Sequence, residues 1–294
     1  MSGAREECIA ILARCEAGEL SPPVALMQML IAAEDDGLVT EVALGDTSGA
    51  AREVAVLLDR NARGCARVAA MLRSDMDRPP VNASVEEGIA FCKRLFDWSV
   101  TESEEASVAL YSLGSPELLA EATREIVDVL DAWGVLGPER RVLDLGCGIG
   151  RMEEALAGKA LHITGIDVSE KMIDAARRRT AHLQNVTLST CSGKDLAAHP
   201  DHTFDLVLAV DSFPYLVQSG DALVDAHFGE ARRVLAPGGD FVILNFSYRD
   251  DLARDAADVA QLAEKHGFGV VTSGTAPLRL WNAPAFRMRR RPRA

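Results

Sequence analysis

The residues best equipped for chemistry lie in Val142-Leu143-Asp144-Leu145-Gly146-Cys147-Gly148-Ile149-Gly150, an apolar run that ends in an acid and enters a GxGxG turn. Glycine lacks a Cβ, so the chain can bend sharply there and a ligand can lie against the backbone. N–H groups at the start of a following helix are suited to a polar or anionic ligand group. Asp144 narrows the choice, because a carboxylate just ahead of the turn repels a pyrophosphate and suits a cationic or hydroxyl-bearing ligand. The GxGxG spacing also departs from the GxGxxG dinucleotide fingerprint. A second acid, Asp167, closes the next apolar run, His162-Ile163-Thr164-Gly165-Ile166-Asp167. Its carboxylate is suited to accept two ribose hydroxyls, and each hydrogen bond to a charged acceptor contributes roughly 1.5–3 kcal/mol. Either acid alone reads equally well as a turn cap; flanking one glycine turn together, they mark a ligand site.

A third acid, Asp211, ends the run Ala209-Val210-Asp211 and leads into Ser212-Phe213-Pro214-Tyr215. Ligands of open α/β sheets bind at the carboxyl ends of strands, so Asp211 is the first candidate for a general base where the reaction must remove a proton, with Tyr215 and Tyr111 as candidate orienting groups. Phe213 and Tyr215 read otherwise as an apolar wall. No second acid stands beside Asp211 in the sequence, and the six cysteines (Cys8, Cys15, Cys65, Cys92, Cys147, Cys191) form no CxxC pair. No metal is therefore expected.

Strands are expected at 141–145, 161–166, 185–190, 204–210, 240–246, 268–273 and 284–290, alternating with helical patterns. That alternation predicts a largely parallel sheet with helices on both faces. Upstream, residues 4–75 read as helices. Ser21-Pro22-Pro23 is a start signal for an apolar run that ends at Gly37. Val54, Leu57, Leu58, Asn61, Cys65, Val68 and Leu72 form the stripe of one long amphipathic helix. Asp77-Arg78-Pro79-Pro80 reads as the linker, further helices are expected at 84–98 and 116–133, and the domains divide as 1–98 and 99–294.

The chain has 294 residues, an apolar fraction of 48% and a formal net charge of −13. That charge disfavours a nucleic-acid partner, which needs a basic face. The arginines at 287, 289, 290, 291 and 293 read as a solvated last strand and tail. No signal peptide or membrane span is expected, and unpaired cysteines suit a reducing, cytoplasmic compartment. His227 is expected at the surface.

Residues from about 110 to 290 resemble the class I S-adenosylmethionine-dependent methyltransferases. The resemblance rests on Asp144–Gly150, Asp167, Phe204-Asp205-Leu206-Val207 and the turn Leu235-Ala236-Pro237-Gly238-Gly239. It implies a Rossmann-like sheet, mostly parallel, of seven strands with the last antiparallel, carrying an N-terminal helical region. It further implies S-adenosylmethionine held by Asp144, Gly146, Cys147, Gly148, Gly150, Asp167, Val168, Met172, Ser192, Gly193 and Asp211, with Tyr111 in a segment that folds over the cofactor. Ser192 stands where the family often has an adenine-binding acid, and Asp195 competes for that role. Ser212-Phe213-Pro214-Tyr215 resembles in part the Pro-Pro-Tyr loop of enzymes that methylate planar amines, with Phe213 in place of the first proline. The expected activity is methyl transfer to O, N or C of a small molecule. The alternatives are a protein or peptide acceptor recruited by the N-terminal helices, or an inactive cofactor-binding module. Those helices suit a lid, a homodimer contact or a partner site.

Overall fold

The computed structural model describes residues 2–74 and 84–292, so the expected linker Asp77-Arg78-Pro79-Pro80 and Arg293 lie outside the described residues. The chain forms two compact units. The first comprises the described residues of Met1–Arg78 together with Trp98–Glu125 and Leu278–Asn282. It thus takes in segments that the sequence reading grouped with the C-terminal domain.

In chain order the helices of the N-terminal region are α1 (Ser2–Glu16), α2 (Pro22–Ala33), α3 (Asp36–Gly45), α4 (Gly49–Arg60), α5 (Ala62–Leu72), α6 (Val85–Glu102) and α7 (Glu104–Val108). A 3₁₀ turn at Leu110–Ser112 and α8 (Pro116–Ala132) follow. Ser21 caps α2, its Oγ accepting from Val24 N–H at 3.3 Å and donating to the Leu280 carbonyl at 2.7 Å. Two expectations are corrected. Helix α2 stops at Ala33, where Glu34 turns left-handed (φ 50°), and Gly37 falls inside α3. The stripe from Val54 to Leu72 is two helices, because Asn61 (φ −114°, ψ 23°) turns its amide back onto the Leu57 carbonyl at 2.8 Å. The stripe still reads as continuous because Val54, Leu58, Cys65 and Val68 are all buried. Gly64 is fixed by sterics, since a Cβ there would fall 2.0 Å from the Leu113 carbonyl oxygen.

The second unit carries a seven-stranded sheet of β1 (Gly137–Leu145), β2 (Ala160–Asp167), β3 (Val186–Thr190), β4 (Phe204–Val210), β5 (Leu235–Leu244), β6 (Phe268–Thr275) and β7 (Ala285–Arg290). Its order is β3-β2-β1-β4-β5-β7-β6. The first five strands run parallel and β7 runs antiparallel to both neighbours. The connecting helices are α9 (Arg151–Leu156), α10 (Glu170–Thr180), α11 (Phe213–Ser219), α12 (Asp221–Val234) and α13 (Leu252–Lys265). The strand order reverses between β1 and β4, which is where open α/β sheets bind ligands. Pro237-Gly238-Gly239 forms a bulge inside β5, opposite Asp205, with Gly238 at φ 81°.

One face of the sheet buries Phe213, Phe228, Phe241, Phe246 and Phe268. Phe213 is therefore core, with its ring 5.6 Å from that of Phe246. His227 is buried rather than exposed, its ring 2.9 Å from the Leu223 carbonyl one turn back. The arginine-rich last strand is solvated only in part: Arg289 and Arg291 are exposed, but Arg287 and Arg290 are buried, and Arg287 Nε donates to the buried Asp240 at 2.9 Å. No helix among the described residues is long and apolar enough to cross a membrane.

Candidate active site

At the carboxyl ends of β1 and β2 the glycine turn stitches the two strands together. Gly146 and Cys147 both donate to the Ile166 carbonyl, at 2.9 and 3.0 Å, and Gly148 donates to Asp167 Oδ2 at 3.0 Å. These N–H groups are thus spent within the protein rather than held free for a ligand. Conformation and close approach are what demand glycine. Gly146, Gly148 and Gly150 have φ of 81°, 53° and 78°, and a Cβ on Gly146 would fall 2.4 Å from Ser212 Cβ. Ser212 Oγ in turn donates to the Leu145 carbonyl, holding the ends of β1 and β4 together.

Asp167 is buried, and its two oxygens accept from Gly148 N–H and Ser169 N–H, the latter at 2.8 Å. A carboxylate has about four acceptor sites, so these backbone donors do not exhaust it. Burial pushes its pKa up to about 6 against the pull of those backbone donors. Asp144 is buried beneath the turn, and among the described residues no donor reaches its Oδ1. Burial pushes it up to about 7, with Arg151 and Glu153 opposing. Burial raises the Cys147 thiol well above its ordinary range, so it is neutral at physiological pH.

Beside Asp167 lies a cleft of about 270 Å³ whose lining includes Val168, Thr190, Cys191 and Ser192 on the sheet side and Ile89 and Ala90 from α6. Gly193 closes it so tightly that a Cβ there would meet Val168 Cγ1 at 2.8 Å and Ile89 Cγ2 at 3.1 Å. The pairs Glu86–Lys194 and Lys93–Glu170, each at 2.8 Å, tie α6 across the cleft. Asp97 adds a third tie, accepting from Ser169 Oγ at 2.7 Å. Residues 85–97 of α6 belong to the same unit as the sheet and roof this site. Met172 is buried in the first turn of α10. Asp195 is exposed and engages Ala197 N–H at 3.1 Å. Tyr111 belongs to the first unit, where it stacks on Trp281 with ring centroids 5.4 Å apart.

Asp211 leaves β4 in the left-handed region (φ 59°), and Asn245 leaves the adjacent β5 the same way (φ 68°). Asp211 Oδ1 accepts from Asn245 Nδ2 at 2.8 Å and from Tyr248 OH at 3.0 Å. Burial raises Asp211 to about 6, with these donors and Arg151 opposing. Tyr215 meets Phe96 of α6 edge-on at 4.9 Å and Tyr248 at 5.8 Å, so aromatic rings wall the carboxylate. The loop bearing Tyr248 is clamped by Arg249, which pairs with Asp255 at 2.6 Å and Asp258 at 2.7 Å. Sequence reasoning missed Asn245, Tyr248, Asp97 and the α6 roof. Only the post-β5 location of Asn245 and Tyr248, at the same sheet end as Asp211, offered a signal.

A parallel sheet reversing between β1 and β4, a β7 inserted antiparallel, and a glycine turn flanked by two strand-end acids define the Rossmann-like class I methyltransferase architecture. Residues 142–239 match the family described as a methyltransferase domain. The chain is 37% identical over 107 residues to a demethylmenaquinone methyltransferase of Tropheryma whipplei, covering 36% of this chain and 42% of that protein. It is 34% identical over 131 residues to phosphoethanolamine N-methyltransferase 1 of Zea mays, covering 43% of this chain and 24% of that one. The chain thus spans less than half the length of these two curated relatives. Phosphoethanolamine N-methyltransferase 1 of Haemonchus contortus shares the fold with a TM-score of 0.57 at 17% identity, over 72% of this chain and 51% of that one.

Proposed function

We propose that this chain transfers a methyl group from S-adenosylmethionine to a small-molecule acceptor. When bound, that cofactor supplies an electrophilic methyl on a cationic sulfur. The observation that carries the reading is the pair of buried carboxylates around the glycine turn: Asp167, held by backbone donors from Gly148 and Ser169, and Asp144, whose Oδ1 meets no N–H or hydroxyl donor among the described residues. A buried carboxylate left unsatisfied is costly, and a cationic, hydroxyl-rich ligand meets both needs.

In this reading Asp167 would hold the ribose hydroxyls and Asp144 the amino group of the methionine moiety, with Gly146, Cys147, Gly148 and Gly150 shaping the cradle. Val168, Met172, Ser192 and Gly193 would surround the adenine. Asp211 would take the acceptor's proton while Tyr215 orients the acceptor, the α6 roof excluding water. The N-terminal helices would serve as a homodimer contact or a partner site. Relatives that methylate a demethylmenaquinone and phosphoethanolamine support a small acceptor.

The test is release of S-adenosylhomocysteine by the full chain with a panel that includes a hydroquinone and an ethanolamine phosphate. Turnover on any member supports the reading, and turnover confined to a peptide would refute it. Asp167→Ala is expected to weaken S-adenosylhomocysteine binding 10–100-fold, about 1.4–2.8 kcal/mol, by calorimetry. Unchanged affinity would remove Asp167 from the site.

A further inference from the structure

Glu153 is a buried acid that the proposed chemistry leaves without a role. It sits on the short α9, is wholly buried, and among the described residues no donor reaches either of its oxygens. Its place is set by Gly165 of β2, where a Cβ would fall 2.3 Å from Glu153 Oε1. Gly165 pairs directly with Asp144 in the β1–β2 register, so the missing side chain at Gly165 makes room for a second carboxyl over Asp144. The two carboxyls stand within hydrogen-bonding reach of each other. Two carboxylates in such a space resist ionising together, and a proton shared between them satisfies one oxygen of each.

We infer that Glu153 is a positioning residue of the cofactor site, holding Asp144 by donating a shared proton so that the pair presents one negative charge rather than two. The inference rests on the proposed role of Asp144 toward the cofactor's amino group. The charged and titratable groups around Glu153 are Asp144 on β1, Asp167 at the end of β2, Cys147 in the turn and Arg151 on α9; from β3 the neighbour is apolar, Leu188. Desolvation first, and then the charge of Asp144, raises Glu153 well above the ordinary carboxylate range, which matches the proton's residing on Glu153.

The sign of the pH effect follows. An acid whose folded-state pKa is raised holds its proton in the fold after the unfolded chain has lost it, so its contribution to stability falls as pH rises above the unfolded value, about 4.3. Glu153→Gln keeps an N–H donor toward Asp144 and removes the titration. Measured without cofactor, the Tm of Glu153→Gln relative to wild type is expected to climb steadily from about pH 5 to about pH 8. At pH 7 its affinity for S-adenosylhomocysteine is expected to stay within about threefold of wild type, whereas Glu153→Leu, with no donor, should lose about tenfold or more. A Tm difference that shrinks or reverses with rising pH, or a tenfold loss of affinity in Glu153→Gln, means an ionised Glu153 and overturns the inference. If the wild type binds no S-adenosylhomocysteine, the cofactor reading fails, while the Tm series still decides where the proton resides.

Discussion

Replacing Asp211 with Asn is expected to lower kcat by about 10²–10⁴-fold, the usual contribution of a positioned general base. The substitution keeps an oxygen to accept from Asn245 and Tyr248 and removes only the ability to take a proton. Asp211 and Asn245 both occupy left-handed backbone at adjoining strand ends, a conformation that Asp and Asn tolerate best and that concentrates at functional sites. The pH dependence follows from burial, which holds Asp211 at about 6 instead of the ordinary carboxylate value of about 3.9. Its ionised, proton-accepting form therefore declines as pH falls through about 6, and kcat at saturating cofactor should fall with it. The Asn variant should lack that limb. Tyr248→Phe removes a donor that favours the charged form, so the limb should move to higher pH. A limb that persists unchanged in Asp211→Asn would assign it to another group.

Gly146→Ala should destabilise the protein by about 2–4 kcal/mol, combining the strain of φ > 0 in an alanine with overpacking. The backbone there has φ 81°, and the added methyl would fall 2.4 Å from Ser212 Cβ. Ser212 cannot retreat freely because its hydroxyl is bonded to the Leu145 carbonyl. Urea denaturation measures the loss. In the Gly146→Ala background, Ser212→Gly should restore the overpacking share and leave the backbone share. Equal stability of wild type and Gly146→Ala would contradict the close crossing of the turn and the end of β4.

Most of the sheet was legible because strands such as β2, β4 and the second half of β5 are short apolar runs rich in Val, Ile and Leu closed by a polar or glycine-bearing turn, and that signal is local. Asp144, Asp167 and Asp211 were legible for the same reason, each ending such a run. What escaped depends on side-chain bonds and contacts, near or distant in sequence, that an apolar pattern does not carry. Asn61 divides a helix whose apolar stripe does not falter, so only its dihedrals and side-chain bond reveal the break. His227 and Arg287 are polar residues buried, respectively, against a carbonyl of the same helix and against Asp240, partners that hydropathy does not register. Tyr248 reads as an ordinary loop tyrosine until the Arg249 clamp sets its hydroxyl on Asp211. The stretch 84–98 was recognised as a helix, yet its role as a roof needed Ile89 against Gly193 and Phe96 against Tyr215.

Calorimetric titration of the full chain with S-adenosylhomocysteine tests the central claim most directly. The account predicts saturable one-to-one binding that weakens in Asp167→Ala. The absence of any saturable heat at roughly millimolar ligand would contradict it.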